Sequence, residues 1–290
     1  MRKKAVRAAT CLAALALLAF AGSASAKLTG EFTKFAQCPY TNTEVRRCLY
    51  STTTGGEVVL GNKKVPIEKQ VVLQGGYGPV GEDEFATKFF ASKDGITLSK
   101  APQSVPGGLL GIVPDASSPA LVKALIKFFF ENKLTGVNST LELAKEASAI
   151  RISENHLSEE FDIALEMPVK VHLENPFLGK SCYVGSSSSP LYFKLTTGTT
   201  ADKKLKGTAG ALELFEEGSV LGLKDALLVD NTWTAPAASG CGGILSFLVN
   251  PIINSQIGLP ATTGKSSASL KNTIYESPRA AVNLNNVDNP

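Results

Sequence analysis

FDIALEMPVKVHLENP, Phe161 to Pro176, decides the fold class. Val169, Val171 and Leu173 alternate with Lys170, His172 and Glu174. A period of two sets one face of a strand against a core and turns the other to water, so His172 falls on the polar face. Pro168 interrupts the run and predicts an edge position, a bulge or two strands in succession, because proline has no N–H to give to a ladder.

Outward from this ribbon, short apolar runs recur between clusters of Gly, Ser, Thr and Pro, the pattern of strands and turns. Towards the N-terminus they are EVVLG (57–61), KQVVLQGG (69–76), EFATKFFA (84–91) and GITLSK (95–100), with Asp94-Gly95 placed as a tight hairpin turn between the last two. Towards the C-terminus they are CYVG (182–185), LYFKLTTG (191–198), TAGALELFEE (208–217), VLGLKDALLV (220–229) and SASLKNTIYE (267–276). Residues 101–119 hold four prolines and three glycines and read as a long loop or a crossing between two lobes.

Two segments read as helices. Ser118 and Pro119 supply a cap and a first turn for ALVKALIKFFFEN, whose wide apolar face carries Leu121, Leu125, Phe128 and Phe129. That face is core or a surface for an apolar ligand. ILSFLVN followed by PIINSQIGLP reads as a second apolar helix, broken or restarted at Pro251. No repeat of solenoid or propeller period is present. The expected fold is mostly β, a sandwich or two packed β lobes, with two short apolar helices against it.

Residues 1–26 have the three parts of an export signal: Arg2, Lys3, Lys4 and Arg7, then the apolar run Leu12 to Phe20, then Ala24-Ser25-Ala26. Cleavage after Ala26 would leave a β-rich exported domain over 27–276 and a loosely draped tail over 277–290, with no transmembrane anchor in the mature chain. Losing those four basic residues takes the formal net charge from +3 to about −1, which removes the electrostatic case for a nucleic-acid partner. Lys203, Lys204 and Lys206 form a local basic knot of the kind usual in a solvated turn.

After the signal, Cys38, Cys48, Cys182 and Cys241 remain, an even number suited to two disulfides in an oxidising compartment. Of three pairings, Cys38–Cys48 with Cys182–Cys241 is favoured, because CPYTNTEVRRC closes a short polar loop. A zinc site lacks support: the cysteines are widely spaced and both histidines, His156 and His172, are remote from them.

Catalytic motifs are absent or imperfect. GSVLG places its serine one position away from a nucleophile elbow, and VPGG (105–108) is a glycine loop that could offer backbone donors. GLPATTGKS has five residues between its glycines where a phosphate loop has four, and the LPATTG within it lacks the apolar and basic stretch a sorting signal needs. The acidic groups Glu82-Asp83-Glu84, Glu159-Glu160 with Asp162, and Glu216-Glu217 are solubilising. Asp225, Asp230 and Asn231 have calcium-ligand chemistry without the EF-hand spacing. No catalytic residue, metal ligand or cofactor is assigned.

The reading is therefore an exported, non-enzymatic binding or structural protein of the cell envelope or its surroundings. Its partner is expected to be an apolar small molecule, held against Leu121, Leu125, Phe128 and Phe129, or a cell-surface partner. The alternative is an exported hydrolase assembled from distant residues, with His156 or His172 as base.

Overall fold

The computed structural model describes residues 27–80, 83–108, 120–131, 136–153 and 163–286. The described residues open with a 3-10 turn, Gly30–Phe35, and then build half of a first sheet from β1 (Arg47–Leu60), β2 (Lys63–Pro66), β3 (Val71–Val80) and β4 (Asp83–Ala91). It crosses to a second sheet made of β5 (Gln103–Ser104), β6 (Asn138–Leu143), β7 (Arg151–Ile152), β8 (Leu165–Glu174), β9 (Tyr183–Val184) and β10 (Leu191–Leu195), with helix α1 (Ala120–Glu131) between β5 and β6. β11 (Ala211–Phe215) and β12 (Val220–Asp230) return to the first sheet, and β13 (Ala238–Ser239) to the second. Helix α2 (Ser246–Ile257), β14 (Ser267–Pro278) and helix α3 (Arg279–Leu284) complete the order.

The first sheet runs β11-β12-β14-β1-β3-β4 with β2 on β1; the second runs β13-β9-β8-β6-β5 with β10 and β7 also on β8. Every pairing is antiparallel, and the expected mostly-β architecture of two packed sheets is what forms. Their inner faces share one core: Leu49, Leu73, Leu228 and Ile274 from the first sheet meet Ile152, Val169, Val171, Leu173 and Phe193 from the second. On the outer face of the first sheet, Phe32, Phe35, Val45, Val220 and Val282 form a smaller cluster around Cys38 and Cys48. Both favoured disulfides are present, Cys38–Cys48 and Cys182–Cys241.

β14 lies centrally between β1 and β12, and both neighbours are bulged at the level of Asn272. In β1 the register shifts between Thr53 and Gly55, so Leu49, Ser51 and Thr53 face inward before the bulge and Val58 and Leu60 after it. Gly56 has φ +95°, and a β-carbon there would stand 1.9 Å from the Ser269 carbonyl oxygen, so only glycine passes this point.

Four sequence expectations change. GITLSK does not return as a hairpin partner of β4. Leu73 bridges Leu98 on the same edge of β3 that pairs with β4, and Asp94-Gly95 turns a local excursion in which Asp94 accepts from the Ser92 hydroxyl and the Ile96 N–H. Pro251 sits inside α2 without ending it; the helix stops at Gly258, left-handed at φ +77°. The loosely draped tail gives way over residues 277–286: β14 runs to Pro278, and Val282 of α3 is completely buried against the outer cluster. Pro168 lies in a central strand, on the side where β6 hands over to β7. Its carbonyl accepts from Ala144 N–H there, so its missing N–H falls in the gap between the two partners. The signal-like segment 1–26, the crossing residues 109–119 and residues 287–290 lie outside the described residues.

Candidate functional site

Between the sheets, at the end where β2 approaches β5, lies an apolar cavity of about 80 Å³. Each wall follows from a local sequence rule. Past the bulge, Val58 and Leu60 of β1 point inward; across the tight Gly61-Asn62 turn, the alternation of β2 brings in Lys63 and Val65, with Ile67 following. The second sheet contributes Ser139 and Leu141 of β6 with Val171 and Leu173 of β8, the apolar face read from the sequence. α2 closes one side with Ile253 and Ile257.

α2 is held by side-chain clamps. Asn254 exchanges two hydrogen bonds with the backbone of Ala238, and Asn250 Oδ1 accepts from Cys241 N–H next to the second disulfide. The Ile257 carbonyl accepts from Asn62 N–H, fixing the tip of the β1–β2 turn against the helix end.

The polar groups in the lining are few. Gln103 is buried with its amide fully used: Oε1 accepts from Glu68 and Lys69 N–H, and Nε2 donates to the Lys69 and Ala101 carbonyls. It is therefore a rivet between the 67–70 loop and β5. Thr53 gives its hydroxyl to Asn272 Oδ1 at 2.6 Å. Among the described lining residues Lys63 is the only charged side chain, and none of them is aromatic.

A second, smaller cavity of about 40 Å³ lies further along the interface, beneath Leu49, Ser51, Leu73, Thr197 and Glu276. Glu276 is buried there, accepting from the Tyr77 hydroxyl at 3.0 Å with Arg47 3.5 Å away.

No protein-family model, curated protein or solved structure matches this chain.

The surface expected on the first helix is represented here by Phe128, which is 54% exposed; the side chains of Leu121, Leu125 and Phe129 lie outside the described residues. Among the described residues, the helix that lines the cavity is α2. His156 lies outside the described residues. His172 is on the outer face of the second sheet, as its alternation predicts: Nε2 donates to the Lys180 carbonyl at 3.1 Å, Nδ1 faces Glu174 at 3.1 Å, and the ring stacks on Tyr183. Among the described residues its contacts are carbonyl, carboxylate and ring, with no serine or cysteine.

Glu142, beside His172, collects Lys100 at 3.1 Å and Lys170 at 3.5 Å. Burial pushes its pKa up, but the hydrogen bonds and charges of the two lysines outweigh this and leave it below the ordinary glutamate value. Asp202 is likewise held well below the usual carboxylate range, chiefly by the Asn231 amide and then by the Lys204 N–H and the Thr200 hydroxyl.

The remaining sequence candidates have structural duties. Asp230 accepts from Lys194 N–H and from the N–H and hydroxyl of Thr232; Asn231 is spent on Asp202; Asp225, in the β12 bulge, pairs with Lys271. Glu216 accepts from Glu31 N–H. No group of three or more His, Cys, Asp or Glu converges among the described residues. In VPGG, Gly108 N–H is returned to the Val105 carbonyl. In GLPATTGKS, Ala261 pairs with Ala235 and Gly264 N–H bonds the Asn231 carbonyl. Among the described residues no helix is long and apolar enough to cross a membrane.

The sequence did not single out Lys63, Val65, Ile67, Ile253 or Ile257. The period of two in KKVPI was a readable signal for the first three; nothing in the sequence reports that β2 would face α2 across a gap.

Proposed function

We propose that this protein is an exported, non-enzymatic binding protein that holds an apolar molecule in the cavity between its two sheets. The observation that carries the reading is the cavity itself. Protein interiors pack to crystal density, and side chains as adaptable as Val, Leu and Ile ordinarily collapse onto such a space. Here the bulge in β1, the glycine at 56, the Gln103 rivet and the clamped α2 act as struts that hold the walls apart. An apolar cavity of about 150 Å³ admits benzene. At about 80 Å³ this one suits a short aliphatic segment. Two disulfides belong to an oxidising environment, and the signal-like residues 1–26 supply the route to it.

The test is native mass spectrometry on protein produced from the full gene and recovered after export, followed by addition of hexane. The proposal predicts a mature chain starting at Lys27 with four oxidised cysteines, and a saturable one-to-one adduct or a co-purifying apolar molecule released on denaturation. A bare chain that takes up no hexane at any concentration would overturn it.

A further inference from the structure

We infer that the outer face of α2 and the turn before it dock on a lipid bilayer, with Ile244 and Phe247 entering the interface and Lys180 meeting the headgroups. The inference goes beyond the cavity reading and stands whether or not the cavity holds a ligand. It begins in the sequence. From Asn231 to Gly264 the chain carries no Asp, Glu, Lys, Arg or His, in a protein of which 19% is charged. A surface helix ordinarily turns an apolar stripe to the core and a charged face to water. α2 has the stripe, since Val249, Ile253 and Ile257 are buried. Its opposite side, followed at the helical period from Ile244 through Phe247, Leu248 and Pro251 to Ser255, is apolar as well, with one serine and no charge. A helix apolar all round belongs where both sides are covered.

Exposure singles out the N-terminal end of that face. Ile244 is 95% exposed and Phe247 70%, one turn apart, and among the described residues Ile244 is the most exposed large apolar side chain. This end is held, not frayed. Gly242 N–H donates to the Leu178 carbonyl, Leu245 N–H donates to the Gly242 carbonyl, Cys241 is bonded to Cys182, and Asn250 accepts from Cys241 N–H. The two side chains are therefore presented to solvent by a fixed backbone.

The bilayer is the occupant that fits. A second copy or another protein needs about 800 Å² per partner for a stable interface, and one face of a three-turn helix offers on the order of 400 Å². Lipid sets no such minimum, because protruding apolar side chains gain by leaving water for the acyl boundary one at a time. Charge agrees with this choice. The loop against the tip, Leu178 to Ser181, carries one charge, the exposed Lys180, and a cation beside an apolar tip suits anionic headgroups.

The experiment is co-sedimentation of the intact protein, both disulfides formed, with phosphatidylcholine vesicles, with and without phosphatidylglycerol, alongside Phe247→Trp read by fluorescence. The one natural tryptophan, Trp233, is buried, so the added indole reports on the tip. Saturable vesicle binding is expected, with a blue shift of the added emission and its quenching by spin-labelled lipid. Phosphatidylglycerol should tighten binding about fivefold, and Lys180→Gln should erase that gain. Ile244→Ser with Phe247→Ser should weaken binding at least about tenfold and leave the urea midpoint unchanged, because both side chains are exposed. An added indole whose emission ignores vesicles, or a double variant that binds as the parent does, would overturn the docking. So would a concentration-dependent dimer, formed without lipid and abolished by the double variant, which would assign the face to a second copy. None of these results bears on uptake of hexane by the cavity, so the two readings fail separately.

Discussion

Filling the cavity from within separates a binding space from an accident of packing. Val137, immediately before β6, and Val171 of β8 both line it and are both buried, on facing sides of the Ser139–Leu173 pair. An unfilled cavity of about 80 Å³ costs about 2 kcal/mol relative to a filled one, at roughly 24 cal/mol per Å³. Val137→Ile with Val171→Ile adds two methylenes, worth about 1.6 kcal/mol of burial, which stays inside that bound. The double variant should therefore unfold later, by about 1 to 2 kcal/mol in urea and by about 3 to 6 °C in melting temperature. The same two methyl groups occupy the space the proposed ligand would need, so affinity for a hexyl chain should fall at least about tenfold. Urea melts monitored by tryptophan fluorescence and a hexanol titration read the two effects on one sample. A double variant destabilised by more than about 1 kcal/mol would show that the walls are already in contact in solution. A stabilised variant with undiminished hexanol binding would place the ligand elsewhere.

Three further outcomes follow from the geometry. Glu142 has its pKa lowered from 4.5, so its ion pairs contribute fully above that value and are lost as pH falls through the lower folded value; acid unfolding below pH 4.5 should be shallower in Glu142→Gln than in the parent. Replacing Cys182 and Cys241 with alanine opens a link across a separation of 59 residues and should cost about 4 kcal/mol, against about 3 kcal/mol for Cys38 and Cys48 with their separation of 10, measured as denaturant midpoints. Gly56→Ala meets the Ser269 carbonyl at 1.9 Å with φ +95° and should cost at least about 2 kcal/mol; because the β1 bulge shapes the cavity wall, hexanol binding should weaken with it.

Much of the strand content was legible because alternation is local. Val169, Val171 and Leu173 declare their face without reference to any partner, and the closeness of Cys38 and Cys48 in sequence gives their pairing away. Pairing order was not legible. Nothing in Ser267–Pro278 marks it as the central strand between β1 and β12, since that place is decided by which edges remain when the chain arrives. The first half of β1, from Arg47 to Gly56, hides behind Ser, Thr and Gly letters that also suit turns; its threonines are β-branched and the neighbouring strands cover it on both edges. Asp94-Gly95 has hairpin chemistry, but β3 was long enough to accept both β4 and the segment beyond the turn on one edge. Val282 reads as a lone apolar residue in a polar tail and becomes buried because Phe32 and Phe35, at the other end of the chain, build a cluster around it. The cavity was the least legible feature. It depends on a one-residue register shift in β1 and on Asn250 and Asn254 tethering α2, which are relations between distant segments.

The most direct measurement is a methyl-resolved NMR titration of the protein with hexanoate, with Val65, Val171, Ile253 and Ile257 assigned. Binding between the sheets predicts saturable shifts confined to those methyls and their neighbours in the cavity, with Val220 and Val282 of the outer cluster unmoved. Unmoved cavity methyls at saturating hexanoate, or shifts spread evenly over the surface, would contradict it.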